Sequence, residues 1–145
     1  LLIMTNDGDL AQRLQHPRYG VPKTYRAKVK GMPKPKVMAR LKSGVLLDGR
    51  KTAPANVRKI GTTGKNTWLE ITLKEGRNRE VRRMCQTVGH PVMKLKRTRY
   101  GPLRLGDLKV GAYRRLTAAE VESLRSHPAG KDLDQPPKKR RTKNN

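Results

Sequence analysis

From Lys23 to Lys30, apolar and polar residues alternate with a period of two. Tyr25, Ala27 and Val29 fall on one side, with Thr24, Arg26, Lys28 and Lys30 on the other. That period predicts a strand with one dry face, and here the opposite face is strongly basic. Trp68 to Lys74 repeats the pattern, with Leu69, Ile71 and Leu73 set against Trp68, Glu70, Thr72 and Lys74. Val92 to Tyr100 predicts a third strand, carrying Lys94, Lys96, Arg97 and Arg99. Apolar runs at Leu1–Met4, Val45–Leu47 and Ala55–Ile60 predict further strands. The first is closed by the turn Asn6-Asp7-Gly8, and the other two flank the turn Asp48-Gly49, with a hairpin connection at Thr62–Asn66.

Helical spacing appears in four places. Leu10, Ala11 and Leu14 predict a short helix that stops before Pro17. Val37, Met38 and Leu41 predict a second, ended by Gly44. Val81, Met84, Cys85 and Val88 stand at i, i+3, i+4 and i+7, followed by Gly89 and Pro91. Near the end, Thr117 and Glu120 have capping-box spacing, Leu116 and Val121 are spaced as a hydrophobic staple, and Val121 and Leu124 face inward. Strands interspersed with short helices and hairpin turns predict an α+β fold: a mixed, mostly antiparallel sheet with short flanking helices.

The third helix carries the chemistry. It opens from a glycine-led turn in EGRNREVRRM, Glu75 to Met84, and Arg79, Arg82, Arg83 and Gln86 repeat the helical spacing opposite its apolar stripe. An anchored helix with a cationic face suits a polyanion. Composition agrees: the 145 residues carry a formal net charge of +24 and a pI near 11.2, which points to nucleic acid. With 34% hydrophobic residues, a single modest core is available. The stretch from residue 128 to 145 is polar and low in complexity, and predicts a disordered basic tail. Cys85 is the only cysteine, so no internal disulfide forms, which suits a reducing compartment; its place on the apolar stripe makes it a core residue. His16, His90 and His127 each precede a proline and lack metal-ligand spacing. No run is long enough to cross a bilayer, and Leu1–Met4 lacks the features of a signal peptide.

Four motifs occur together and in order: TNDG at Thr5–Gly8, KTY at Lys23–Tyr25, EGRNREVRRM, and LKRTRYGPLRLGDLKVGAYRRLT at Leu95–Thr117. On these, the chain resembles the RsuA/RluB family of ribosomal-RNA pseudouridine synthases over about residues 1 to 125, most of all the large-subunit RluB type. The resemblance implies isomerisation of a uridine in folded rRNA. The N1–C1′ bond breaks, the uracil turns in place, and C5 bonds to C1′, without cofactor or metal. It also implies a nucleophilic aspartate in a GRLD motif a few residues before LLIMTNDG. That motif is not in this sequence, which opens within an apolar run at Leu1; Asp7 and Asp9 belong to the turn and do not replace it. Residues 1–127 are therefore expected to be a catalytic domain lacking its N-terminal part, and inactive alone.

Two residues carry over as catalytic. Tyr25 matches the family's active-site tyrosine, whose ring stacks on the uracil and whose phenol can take the C5 proton; the alternation equally allows a core tyrosine. Arg82 matches the arginine that holds the catalytic carboxylate by two parallel hydrogen bonds; the other reading is a phosphate contact. Lys23, Arg77, Arg79, Arg83, Lys94, Lys96, Arg97 and Arg99 are the candidate RNA surface. Trp68 has a solvent-side register, open to base stacking or to packing. The expected partner is ribosomal RNA, approached by a cytoplasmic monomer with no membrane or metal, together with a missing N-terminal segment of the same protein. The alternative is a non-catalytic rRNA-binding ribosomal or assembly protein, which has no need of the KTY and EGRNREVRR pair.

Overall fold

The computed structural model describes residues 1–128. The predicted tail from residue 129 lies outside them. Helix α1 (Gly8–Gln15) is capped by Asp7, whose side chain accepts from the Leu10 amide. It buries Leu10 and Leu14, and a 3-10 turn at Pro17–Tyr19 follows. The remaining elements are β1 (Lys23–Val29), α2 (Pro35–Ser43), β2 (Leu46–Leu47), β3 (Arg50–Lys51), β4 (Asn56–Thr63), β5 (Asn66–Leu73), α3 (Glu80–Thr87), β6 (Val92–Tyr100), β7 (Leu103–Arg104) and α4 (Ala118–Arg125).

Five strands form one sheet in the order β4-β5-β1-β6-β7, with β2-β3 as a separate ribbon. Each of these pairings is antiparallel, so the expected mixed element is absent among the described strands. β1 is central because its dry face is continuous with those of both neighbours. Tyr25 stands between Ile71 and Arg97, and Ala27 between Leu69 and Leu95. Ala27, Val29, Leu69, Ile71, Leu73 and Val57 form the main core with Leu41 of α2, Val45 and Leu47, and Val81, Met84, Cys85 and Val88. The predicted stripe of α3 is thus the face that packs on the sheet. A second core joins Leu10 and Leu14 of α1 to Val21, Tyr100, Leu103 and Leu124 of α4. The capping box at Thr117 and Glu120 is present, with both reciprocal bonds made.

Two strand expectations are corrected. Leu1–Met4 is extended but pairs with no strand; Leu1 and Ile3 lean on the second core while Leu2 and Met4 face outward. Its tie to the sheet is local: the Leu1 amine donates to the Arg97 carbonyl, and Arg97 Nε donates to the Leu1 carbonyl. The turn at Asp48-Gly49 joins β2 to β3, not to the run Ala55–Ile60, because both turn residues adopt positive φ and close a two-residue hairpin between Leu47 and Arg50. Strands β3 and β7 are too short to leave a period in the sequence. Gly44, expected only as a helix stop, also lets the chain pass Thr52: a Cβ there would meet the Thr52 carbonyl oxygen at 2.3 Å.

Candidate active site beside the arginine helix

Cross-strand partners point to the same side of a sheet, so the register sorts the predicted cations. Lys23 is opposite Tyr100 and Tyr25 is opposite Arg97, on the side covered by α3. Thr24 is opposite Arg99, Arg26 opposite Lys96, and Lys28 opposite Lys94, on the outer side. Arg97 and Arg99, two residues apart, face opposite ways because the register shifts between Thr24 and Tyr25, leaving Thr98 as an extra residue. The eight candidates are therefore not one surface.

On the helix side, Lys23 is buried, with Nζ 5.4 Å from the centroid of the Tyr100 ring. The Arg97 guanidinium lies 5.0 Å from the same centroid, and the Tyr100 hydroxyl donates to the Leu14 carbonyl. Burial, then the Arg97 charge, lowers the pKa of Lys23, opposed by Glu80 at the start of α3. Burial likewise raises the Tyr100 phenol. A Cβ at Gly76 would lie 3.4 Å from Lys23 Nζ, so the turn leading into α3 sits beside the Lys23 side chain. Tyr25 is half-buried and packs against the main core. Arg82 is half-buried, two residues past Glu80 on the same helix, and its side chain has no hydrogen-bond or ion-pair partner among the described residues.

The turn before α3 is held from inside. Arg77 donates from Nη1 to the Arg50 carbonyl at 3.0 Å and from Nη2 to the Lys51 carbonyl at 2.7 Å. Arg83 pairs with Asp48. Both arginines, predicted as RNA contacts, bind the β2-β3 ribbon to the arginine helix. Arg79 is exposed, in the left-handed region at φ 50°, and its side chain is unpaired among the described residues. Arg99 Nε donates to the Gly101 carbonyl at 3.1 Å. Lys94 and Lys96 are exposed on the outer face, where the Trp68 Nε1 donates to Thr63 Oγ1.

Sequence reasoning missed Glu80, which is only 4% exposed. The signal was present: Glu80 shares a four-residue spacing with Met84 and Val88, on the stripe that packs inward. Its Oε2 accepts from the Arg77 amide at 2.9 Å, while Oε1 is buried with no conventional partner. Burial and a hydrogen bond with Glu75 push Glu80 up to about 7. Glu75 moves the other way: burial opposes it, but the bond to Glu80, the Ala53 amide and the charges of Arg77 and Arg50 lower it. A proton on Glu80 directed at ionised Glu75 would give the orphaned oxygen a partner. By contrast, burial pushes the Cys85 thiol up to about 12, in keeping with a packing role. Among the described residues there is no group of three or more His, Cys, Asp or Glu side chains able to hold a metal, and no helix is long and apolar enough to cross a membrane.

This fold is similar to that of a solved pseudouridylate synthase. The crystal structure so described superposes with a TM-score of 0.76 at 31% identity, over 83% of this chain and 52% of that one. A family model described as RNA pseudouridylate synthase matches residues 1–87. The chain belongs to the RNA pseudouridylate synthase family. It is similar to the ribosomal large subunit pseudouridine synthase B of Bacillus subtilis, at 45% identity over 128 residues, covering 87% of this chain and 52% of the relative. The ribosomal large subunit pseudouridine synthase E of Xanthomonas campestris pv. campestris is 39% identical over 140 residues, covering 86% of this chain and 75% of the relative. The chain spans about half the length of the first two curated relatives it matches.

Proposed function

We propose that the protein containing this chain converts a uridine of large-subunit ribosomal RNA to pseudouridine, and that residues 1–127 are part of its catalytic domain, with 128–145 a basic arm. The observation that carries the reading is the placement of Tyr25 and Arg97 on the sheet face covered by α3, with Lys23 Nζ beside Gly76 of the turn that leads into that helix. In this reading an extruded uridine lies between the β1 end and α3. Tyr25 stacks on the uracil and takes the C5 proton. Arg82 has no partner among the described residues, as expected of a guanidinium whose carboxylate belongs to the family's GRLD aspartate, which is not among residues 1–145. Residues 1–145 by themselves are accordingly inert toward uridine.

The remaining cations divide by role. Lys23, Arg79 and Arg97 serve the RNA strand at the helix side, and Lys94, Lys96 and Arg99 offer phosphate contacts on the outer face. Arg77 and Arg83 act through the ribbon they hold. The protein works in the cytoplasm as a monomer, without metal or cofactor. The test is a map of pseudouridine in rRNA from cells with and without the gene, repeated with Arg82→Lys, Arg82→Ala and Tyr25→Phe in the full gene product. The proposal expects one site to vanish without the gene, and turnover to collapse for both Arg82 variants while RNA affinity changes little. Loss of affinity alone would leave the non-catalytic rRNA binder as the better reading.

A further inference from the structure

Beyond Tyr100, whose hydroxyl holds the end of α1, lies a feature that the proposed chemistry does not use. Asp9, Gln12, Arg13 and His16 recur at i, i+3, i+4 and i+7, opposite the buried leucines of α1, and the 3-10 turn brings Arg18 and Tyr19 against them. Together these residues line an open surface recess of about 390 Å³, with Asp9, Gln12, His16 and Arg18 exposed along it. Flat groups cluster in it. The guanidinium carbons of Arg13 and Arg18 lie 5.1 and 5.7 Å from the Tyr19 ring centroid, and the His16 ring stands edge-on to Tyr19 at 6.2 Å.

Some of its polar capacity is spent internally. Arg13 Nη2 donates to the His127 carbonyl, and His16 Nδ1 accepts from the Arg18 amide. The Asp9 carboxylate, the Gln12 amide, the Arg18 guanidinium and the Tyr19 hydroxyl have no hydrogen-bond partner among the described residues. A site for phosphate alone has no use for the carboxylate, which repels it. A nucleotide uses all of these groups: planar surfaces for the base, a carboxylate and an amide for its edge or a 2′-hydroxyl, and two guanidiniums for its phosphate.

We propose that this recess holds one unstacked nucleotide of single-stranded RNA flanking the modified uridine. The base lies against Arg18 and Tyr19, its edge meets Asp9 and Gln12, and its phosphate meets the two arginines. The inference rests on the RNA-acting reading above but not on its chemistry, so it is tested with RNA that contains no uridine. Binding of the chain to a short oligoadenylate and to an abasic ribose-phosphate strand of equal length is measured by fluorescence anisotropy across a salt series. Tyr19→Ala and Gln12→Ala are expected to weaken the oligoadenylate by about fivefold to a hundredfold for stacking and less for the edge contact, and to leave the abasic strand unchanged. Tyr19→Phe should retain most of the affinity. Arg18→Ala should weaken both strands and lower the salt slope by about one contact. Because Tyr19 also touches the second core, the exposed Gln12 and Arg18 variants keep the test decisive if Tyr19→Ala unfolds the chain. Equal losses on both strands for Tyr19→Ala or Gln12→Ala, or wild-type binding by every variant, would overturn the nucleotide site while leaving the RNA reading intact. A chain that binds neither strand overturns both.

Discussion

Glu80→Gln isolates the shared proton under the arginine helix. In the folded chain Glu80 titrates near 7, against an ordinary value of 4.5. Between those two values the native state holds a proton that the unfolded chain has released. Unfolding free energy therefore falls as pH rises through this window and levels off above about 7. At ~1.4 kcal/mol per unit, the ceiling is about 3 kcal/mol. The coupled carboxylate takes back part of it: Glu75 is lowered, so its own contribution grows as pH rises through its ordinary range. Glutamine keeps both contacts, since its oxygen can accept from the Arg77 amide and its amide can donate to Glu75, but it cannot ionise. Urea unfolding, followed by the single tryptophan Trp68, gives the comparison. The variant should lie close to the wild type near pH 5 and exceed it by up to that ceiling, about 3 kcal/mol, near pH 8.5, because Glu75 is held the same way in both. Other titrating groups cancel in the difference. A gap that stays constant across pH, or a variant weaker than wild type at high pH, would refute the shared proton.

Three further outcomes follow from packing. Arg77→Ala leaves the Arg50 and Lys51 carbonyls without their fork and should cost about 2 kcal/mol in chemical denaturation, with Arg77→Lys recovering little because one ammonium cannot span both; a loss confined to RNA affinity would contradict the clamp. Gly44→Ala should unfold the chain or lower its thermal midpoint sharply, since the added methyl meets backbone at 2.3 Å where φ is already 99°; a variant of ordinary stability would show that this approach is wrongly placed. Thr117→Ala removes one half of the α4 capping box and should cost about 1 kcal/mol, read by loss of the second core's cooperativity in hydrogen exchange; unchanged protection at Leu124 would count against it.

The period-two runs and the helical stripe were legible because burial acts on whole faces. β1, β5, β6 and α3 lie where the pattern of apolar residues put them, and the capping box marked α4 to the residue. Three kinds of information were not in that pattern. Leu1–Met4 has strand composition, but pairing depends on a partner edge, and among the described residues only Arg97 bonds to it. The partner of the Asp48-Gly49 turn was misassigned because two-residue strands carry no period. The roles of Arg77 and Arg83 were hidden because charge patterning reports what a side chain can attract, and not that the carbonyls of Arg50 and Lys51 and the carboxylate of Asp48 are brought to them by the fold. The Tyr25–Arg97 pairing was hidden for a related reason: simple alternation would place Arg97 and Arg99 together.

The bulge at Thr98 gives a single inserted position authority over two surfaces. Deleting Thr98 would return β6 to plain alternation and keep both pairings, because Arg97 and Arg99 would then be neighbours on opposite faces. Flattening the bulge at unchanged length, by contrast, would force a one-residue slip, and either Arg97 would leave Tyr25 or Tyr100 would leave Lys23. Both pairings therefore depend on whether the extra residue stays out of the ladder, and a comparison of related chains should weigh the count of residues between KTY's two partners as heavily as their identity.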